Sequence, residues 1–477
     1  MPSRRQRSVR FTGFRSRGAS TQVASPPAGE YVVESGRAGV GISHSGAEPA
    51  TPSVARPWTV TRLQVIAVTV SLAVVIAGWF PVAPVRDSAT LQDIAEVTLV
   101  RPQAYVDFAP FSNVLDAITL LSERQHIALL LGLAAIWGLW RFARPGGMRQ
   151  GWRKNMGSFA ILVTSIGVAY AAAAYLPRPM AHLTSLDPDV LRIDFHSHTQ
   201  SSKDARRSYS IERNRAWHHA GGYDVAFVTD HDTFAGAEHG LADDPSTWNG
   251  STILLGGIEV SWKGEHVGLV GDEPMIRCML SANLHDFDPQ NPLPARCHSE
   301  HAPIVVWNHP RDPQLAKLPL ASGAVGAIEI ANGALHSMDL VRSKRERIVS
   351  LARQHNLSLL SGTDTHGWGY AAPDWTLLRL EGWRHFTRDE LAARIEQALR
   401  VGGFGATRVV ERTTADYGTN ATELALSVVL VPWRMLTALS ADERKMWLLW
   451  ALAIVAVEWG LRRRRISRPG LAATPAS

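Results

Sequence analysis

Residues 191–198 read L-R-I-D-F-H-S-H, an apolar run of strand length that ends in two histidines. Side chains two apart on a strand point to the same face, so His196 and His198 can hold one cation together. The pattern recurs outward from this stretch. V-A-F-V-T is closed by Asp230 and His231, T-I-L-L-G-G leads into Glu259, P-I-V-V-W is closed by His309, and L-S-L-L-S runs into S-G-T-D-T-H-G with Asp364 and His366. Asp364 and His366 again stand two apart. A-I-E-I-A is a further run of strand length, and amphipathic helical stretches are clearest from His336 to Asn356 and from Arg388 to Val401. Short strands alternating with helices predict an α/β fold built on a parallel sheet or barrel. In such barrels the C-terminal strand ends converge on one rim, where active sites are built. Histidines and carboxylates at the ends of five separate apolar runs are not what a solvated surface produces.

Taken in order, D-F-H-S-H-T-Q-S-S-K-D, V-T-D-H, G-I-E-V with a following His, N-H-P and S-G-T-D-T-H resemble the signature motifs of the polymerase and histidinol phosphatase (PHP) phosphoesterase family, over residues 188–412. The resemblance implies a distorted (β/α)7 barrel holding two or three divalent metal ions. His196, His198, Glu259 and Asp364 would hold one ion. Glu259 would bridge to a second, held also by His266 and His309, and Asp204, His231 and His366 would hold the third. Asp204 stands where some members have histidine. His266 lies in E-H-V-G-L-V-G, at the beginning of an apolar run, so it needs a hairpin after Glu259 to reach the rim. The mixed imidazole and carboxylate donors suit manganese, zinc or iron better than calcium.

The expected activity is hydrolysis of a phosphoester by a metal-bridged hydroxide, which dispenses with a side-chain nucleophile. Ser202 then orients the site and does not attack. Arg311, directly after N-H-P, is the expected phosphate partner, with Lys203, Arg206 and Arg207 following the first motif. His231 or His366 is the expected proton donor to the leaving oxygen. The expected partner is a phosphorylated small molecule or a lipid-linked phosphate. Two other readings stand beside this one: an amide or other hydrolase on the same barrel, and a non-catalytic membrane-tethered binding or sensory module. No basic aromatic groove speaks for a nucleic-acid partner, and no feature of the sequence sets an oligomeric state. His218 and His219 read as surface residues of a helix, and Cys297, His298 and His301 as an exposed loop.

The remainder of the chain reads as membrane-associated. Residues 1–57, with eight arginines, read as a disordered basic tail. Residues 58–177 carry three apolar stretches, about 60–82, 125–142 and 156–176, and a fourth covers about 446–461. Four spans put the tail, the loop bearing Arg141, Arg144, Arg149, Arg153 and Lys154, and the run Arg462 to Arg465 within residues 462–477 all in the cytoplasm. The barrel then lies extracytoplasmic, and residues 413–440, with the apolar stretch Leu424 to Leu439, form a linker or interfacial helix. Trp58, Trp79, Trp137, Trp140, Trp152, Trp447 and Trp459 sit near span ends as interfacial anchors. The two cysteines, Cys278 and Cys297, allow one disulfide or two inert thiols.

Overall fold

The structure, a computed structural model, describes residues 61–144, 151–242, 248–271, 273–281, 297, 302–310, 320, 323–335, 341–414 and 421–466. Helix α1 (Arg62–Ala77) leads to strands β1 (Val85–Asp87) and β2 (Val97–Val100), helices α2 (Gln103–Asp107), α3 (Ala109–Thr119), α4 (Glu123–Ala143) and α5 (Trp152–Tyr175), and strand β3 (His182–Ser185). The segment that bears the expected donors follows as β4 (Val190–Ser197), α6 (Ile211–Gly221), β5 (Val225–Val228), α7 (Ala235–Ala242), β6 (Ile253–Trp262), β7 (Glu265–Val270) and α8 (Glu273–Ser281). It continues through β8 (Ile304–Asn308), β9 (Ala327–Asn332), α9 (Arg342–Gln354), β10 (Ser358–Gly362), β11 (Asp374–Arg379), α10 (Arg388–Gly402) and β12 (Thr407–Arg412). Helices α11 (Ala421–Ala425), α12 (Ser427–Thr437) and α13 (Ala441–Ile466) complete it.

A ten-stranded sheet, ordered β1-β12-β11-β4-β5-β6-β7-β8-β9-β10, carries the segment. It is buried on both faces, as its near-continuous apolar runs require. Successive residues of β6 feed two cores: Leu254 and Ile258 pack with Val267, Trp307 and Ile348, while Ile253 and Leu255 pack with Phe195, Phe227 and Trp383. Helix α10 starts at a Thr387–Glu390 capping box and lays Leu391, Ile395 and Leu399 on the second core. Each such side chain contributes roughly 1.5–3 kcal/mol.

The expected α/β class and barrel-like curl of the distorted seven-stranded barrel are met by a curled sheet of ten strands that is mixed in direction. β4, β5 and β6 are parallel, as are β8, β9 and β10, but β7 is antiparallel to both neighbours and β11 is antiparallel to β4 and β12. The cause at β7 is local. Lys263 and Gly264, with φ of 49° and 83°, form a two-residue turn of the kind that matches strand twist, so the chain reverses as a hairpin. The sheet curls until its edge strand β10 comes back against β4: Asp364 N–H donates to His196 O (2.8 Å) and His198 N–H to Thr365 O (3.1 Å).

The expectation of four membrane spans is also corrected. Among the described residues two helices are long and apolar enough to cross a membrane, α4 and α5. Helix α1 has 16 residues, which at 1.5 Å each reach about 24 Å, short of a hydrocarbon core of about 30 Å. Helix α13 spends its first turn on Asp442, Glu443, Arg444 and Lys445 and carries Glu458 inside, where Thr61 Oγ1 donates to it (2.7 Å). Helix α12 has 11 residues and cannot span. Of the expected helix from His336, residues 336–340 lie outside the described residues, as do 1–57. Cys278 and Cys297 form a disulfide, which removes Cys297 as a metal donor; His298 and His301 lie outside the described residues.

Where β1 closes on β12, Glu411 is buried between two arginines: Arg86 Nε donates to it at 2.8 Å and Arg345 Nη1 at 2.9 Å, with Ser88 Oγ at 3.1 Å. Removing one member of a buried pair leaves an uncompensated charge. Glu411→Ala is therefore expected to destabilise the protein by about 3–5 kcal/mol, read as a lowered unfolding midpoint; an unchanged midpoint would show that water reaches the arginines.

Candidate metal centre

His196 and His198 project from the end of β4 to one side while Ser197 turns to the other, its Oγ donating to Phe227 O (2.8 Å). The two imidazole Nε2 atoms lie 3.0 Å apart. Glu259, near the end of β6, brings Oε2 to 3.1 Å from His196 Nε2 and 3.4 Å from His198 Nε2. Asp364, in the loop after β10, brings Oδ1 to 3.0 Å from His198 Nε2 and 3.6 Å from His196 Nε2. Donors about 2.1 Å from one ion sit about 3.0 Å apart when octahedral and about 3.4 Å apart when tetrahedral. The observed separations match that cradle.

The hairpin gives His266 its reach. Glu259 pairs with Gly268 and Ser261 with His266 across β6 and β7, and His266 Nδ1 lies 2.9 Å from Glu259 Oε1. His309, after β8, holds Nε2 at 3.6 Å from the same oxygen. Asn308 Nδ2 donates to it at 3.2 Å, over Gly268, where a Cβ would meet the Asn308 side chain at 2.9 Å. On the other side His231 Nδ1 is 3.2 Å from Glu259 Oε2, and its Nε2 is 3.1 Å from Asp204 Oδ2. Asp204 Oδ1 in turn lies 3.3 Å from His366 Nε2 and accepts from Ser202 Oγ (2.7 Å). The nine residues expected as donors thus meet around Glu259 in overlapping groups, and donor sets such as His196, His198 and Glu259, or His231, Glu259 and His266, are of the kind that holds a divalent cation. Arg311 lies outside the described residues.

The electrostatics follow from packing carboxylates and imidazoles together in a largely buried cluster. Burial opposes charge on Glu259, but His196 and its other imidazole partners outweigh it and hold the carboxyl well below its usual range. Burial likewise opposes charge on His196, yet Glu259, Asp364 and Glu329 raise it well above an ordinary histidine. His309 is raised in the same way, against burial, by Glu259, Asp364 and Glu329. His366, against burial, is pushed up to about 9 by Asp204 and Asp364. His198 and His231 are lowered, burial being the largest cause.

Several residues here were not singled out from the sequence. Glu329, buried in β9, accepts from His196 Nδ1 (2.8 Å), His309 N–H (2.5 Å) and Asn332 Nδ2 (2.9 Å). It fixes the tautomer that aims His196 Nε2 at the site. Its signal was a carboxylate in the middle of A-I-E-I-A, where an apolar strand has no use for one. Asp194 supports the same strand end, accepting from Thr363 N–H and Oγ1 (2.9 and 2.6 Å). His218 corrects the surface expectation: it is fully buried with Nε2 2.7 Å from Asp194, whereas His219 is exposed. A helix signal does not say which of two adjacent histidines faces the sheet. Asp230 points away from the cluster, accepting from Thr199 N–H and Oγ1. His309 and Asp364 adopt positive φ (25° and 48°), strain of a kind that persists where surroundings over-determine it.

Comparisons with known proteins add the following. No family model and no curated protein matches the chain. Similar solved structures include PsfC from Pseudomonas syringae, at 17% identity and TM-score 0.30, covering 52% of this chain and 98% of that one. A candidate metal-dependent phosphoesterase from Bifidobacterium adolescentis matches at 16% identity and TM-score 0.27, over 44% of this chain and 96% of that one. An amidohydrolase from Chromobacterium violaceum matches at 20% identity and TM-score 0.25, over 42% and 96%. Likenesses of this strength carry no argument about function, which rests on the side chains.

Two outcomes are expected. A cation entering the cradle must displace the protons that the carboxylates hold on His196 and His309. Uptake of Mn or Zn should release protons, and affinity should weaken as pH falls from about 8 to about 6, by roughly tenfold per unit for each proton displaced. Calorimetry in buffers of different ionisation enthalpy measures this; uptake without proton release would refute it. Gly362 lies where a Cβ would stand 2.4 Å from both Glu329 Oε1 and His196 Cβ. Gly362→Ala should cost about 1–3 kcal/mol of stability and weaken metal uptake; binding equal to that of the unaltered protein would show that Glu329 can yield.

Proposed function

We propose that the protein is a membrane-anchored, metal-dependent phosphoesterase. The observation that carries this reading is the convergence of buried carboxylates and imidazoles on Glu259, with both oxygens of that one carboxylate facing separate histidine groups. His196, His198, Glu259 and Asp364 would hold one divalent cation, and Glu259, His266 and His309 a second. Such cations, Mn, Zn or Fe, would lower the pKa of a water to about 7 and would take up charge on phosphoryl oxygens.

The chain's own groups do the rest. Glu329 keeps the His196 proton on Nδ1, so that Nε2 remains a donor to the site. Asp204 faces His231 and His366 with its two oxygens, and its side chain is 46% exposed, so this group stands at the mouth, where a leaving oxygen departs. There His366 Nε2 supplies the proton to that oxygen, oriented by Asp204, and His231 steadies the carboxylate. Arg206 and Arg311 are the cations assigned to the phosphate.

The anchor is a hairpin of α4 and α5, whose turn end carries Arg144 and Arg149 between the helices and Arg153 and Lys154 in the first turn of α5, and so belongs in the cytoplasm. Both outer ends of that hairpin then lie on the opposite side with the sheet. The Cys278–Cys297 disulfide supports that side, since such bonds persist in oxidising compartments.

The test uses the full chain in detergent, loaded with Mn or Zn, across a panel of phosphoesters and amides. Two ions per chain and phosphate release are expected, with His198→Ala and Glu259→Ala each lowering kcat by at least about a thousandfold, on the scale of removing a residue that acts as part of a catalytic unit. Metal binding with amide cleavage, or with no turnover at all, would overturn the phosphoesterase reading. Three ions per chain would overturn the acid role of His366.

A further inference from the structure

The rim of the candidate centre is fastened to the ends of α4 and α5, the helices that among the described residues are long and apolar enough to cross a membrane. Gly369, three residues beyond His366, donates its N–H to Ala174 O in the last turn of α5 (3.0 Å), and its backbone, at φ 78°, leaves no room for a side chain against Thr119 of α3. Trp368 meets Tyr175 edge to face with centroids 5.3 Å apart. The other helix is fastened on the far side of the rim. Glu123, at the start of α4, donates its N–H to Leu335 O (2.9 Å), in the loop that follows Asn332 and the Glu329 strand. Arg178, just past α5, ties Ala173 O to Asp116 and Thr119 and so joins the end of α5 to α3.

What stands at this rim is apolar and exposed. Trp368 is 46% exposed, Leu335 52%, Tyr175 51% and Leu176 53%, and the exposed apolar residues continue onto α4 at Ile127 and Leu131 and onto α5 at Val168. A water-facing mouth for a small polar ester has no need of such a border. Among these residues sits one cation. The Arg206 guanidinium lies over both the Tyr175 ring (5.2 Å) and the Trp368 ring (5.8 Å), and its backbone N–H donates to His366 O (2.9 Å). No carboxylate partners Arg206 among the described residues. An arginine held on tryptophan and tyrosine at a helix end is the chemistry of a bilayer interface, where the rings sit at headgroup depth and the guanidinium meets phosphate.

We propose that the substrate is a phosphorylated membrane lipid, its ester presented from the headgroup layer across the Trp368–Tyr175–Leu335 rim, with Arg206 taking the phosphate charge. The inference rests on the phosphoesterase reading above. In the step it assigns, water forms the new bond to phosphorus, the P–O bond to the lipid breaks, and the lipid oxygen takes the proton. Inorganic phosphate leaves into water and the lipid alcohol stays in the bilayer.

The probes are dioleoyl phosphatidic acid in phosphatidylcholine vesicles and glycerol 3-phosphate in solution, which share the reacting group and differ in the acyl chains, with p-nitrophenyl phosphate as a chain-free control. Full-length protein reconstituted with metal should hydrolyse the vesicle lipid with kcat/KM at least about a hundredfold above glycerol 3-phosphate. Trp368→Ser combined with Leu335→Ser should cut that preference about tenfold or more, the scale of losing aromatic and aliphatic contacts at a binding surface. Both positions are exposed, and unaltered metal content reports an intact fold. Arg206→Gln should lower kcat/KM for both phosphates. Hydrolysis of p-nitrophenyl phosphate with no preference for the vesicle lipid, or a preference indifferent to the double substitution, would overturn the lipid proposal alone. Hydrolysis of none of the three by metal-loaded protein would overturn the phosphoesterase reading and this inference with it.

Discussion

Glu259 is a carboxylate with 1% exposure, placed where only positive charge can keep it ionised, and most of the site is arranged to provide that charge. One oxygen faces His196, His198 and His231, the other His266 and His309, with Asn308 donating alongside. A buried carboxylate without such partners would take up a proton or draw in water. The ionised carboxylate draws imidazoles from β4, β7 and the loops after β5 and β8 onto one point, while Asp364, in the loop after β10, and Glu329, in β9, balance the positive charge on His196 and His309. The same geometry that satisfies the charge in the folded chain leaves donors spaced for a divalent cation.

That convergence depends on how the sheet is built. A regular parallel arrangement would carry the residue at His266 to the wrong end of its strand. The two-residue turn at Lys263–Gly264 reverses the chain and sets His266 opposite Ser261, within reach of Glu259. Closure at the other side is made by backbone bonds from Asp364 and His198, so the strand ends that carry metal-type donors also seal the curl of the sheet. Positive φ at His309 and Asp364 and the absent side chain at Gly362 are local costs of that crowding, offset by the cores on both faces.

The helices of the amino-terminal half are not a separate appendage. They meet the sheet at the loops after β9 and β10, the same loops that bound the cluster, through the Gly369–Ala174 and Glu123–Leu335 backbone bonds. A site that worked on freely diffusing esters would gain nothing from that placement, whereas a site that worked at an interface would depend on it.

That these nine imidazoles and carboxylates would share one rim was legible in the chain, because a strand alternates faces and a polar residue closing an apolar run has few structural uses. So were the α/β class and the apolar stretches that became α4 and α5. Three things were not. Glu329 lies in mid-strand, and only the neighbours drawn in by the curl reveal that it orients His196. His218 and His219 are adjacent on a helix whose rotation about its axis is set by packing on the sheet, which turns His218 in to meet Asp194 and leaves His219 exposed. The number of spans depends on where a helix begins and which charges it includes, and α1 and α13 differ from their apolar cores on both counts. Sequence periodicity determined which residues could share a face, since that depends only on local backbone geometry. The tertiary structure decided which faces meet, because sheet curl, hairpin register and the pairing of Cys278 with Cys297 join residues far apart in the chain.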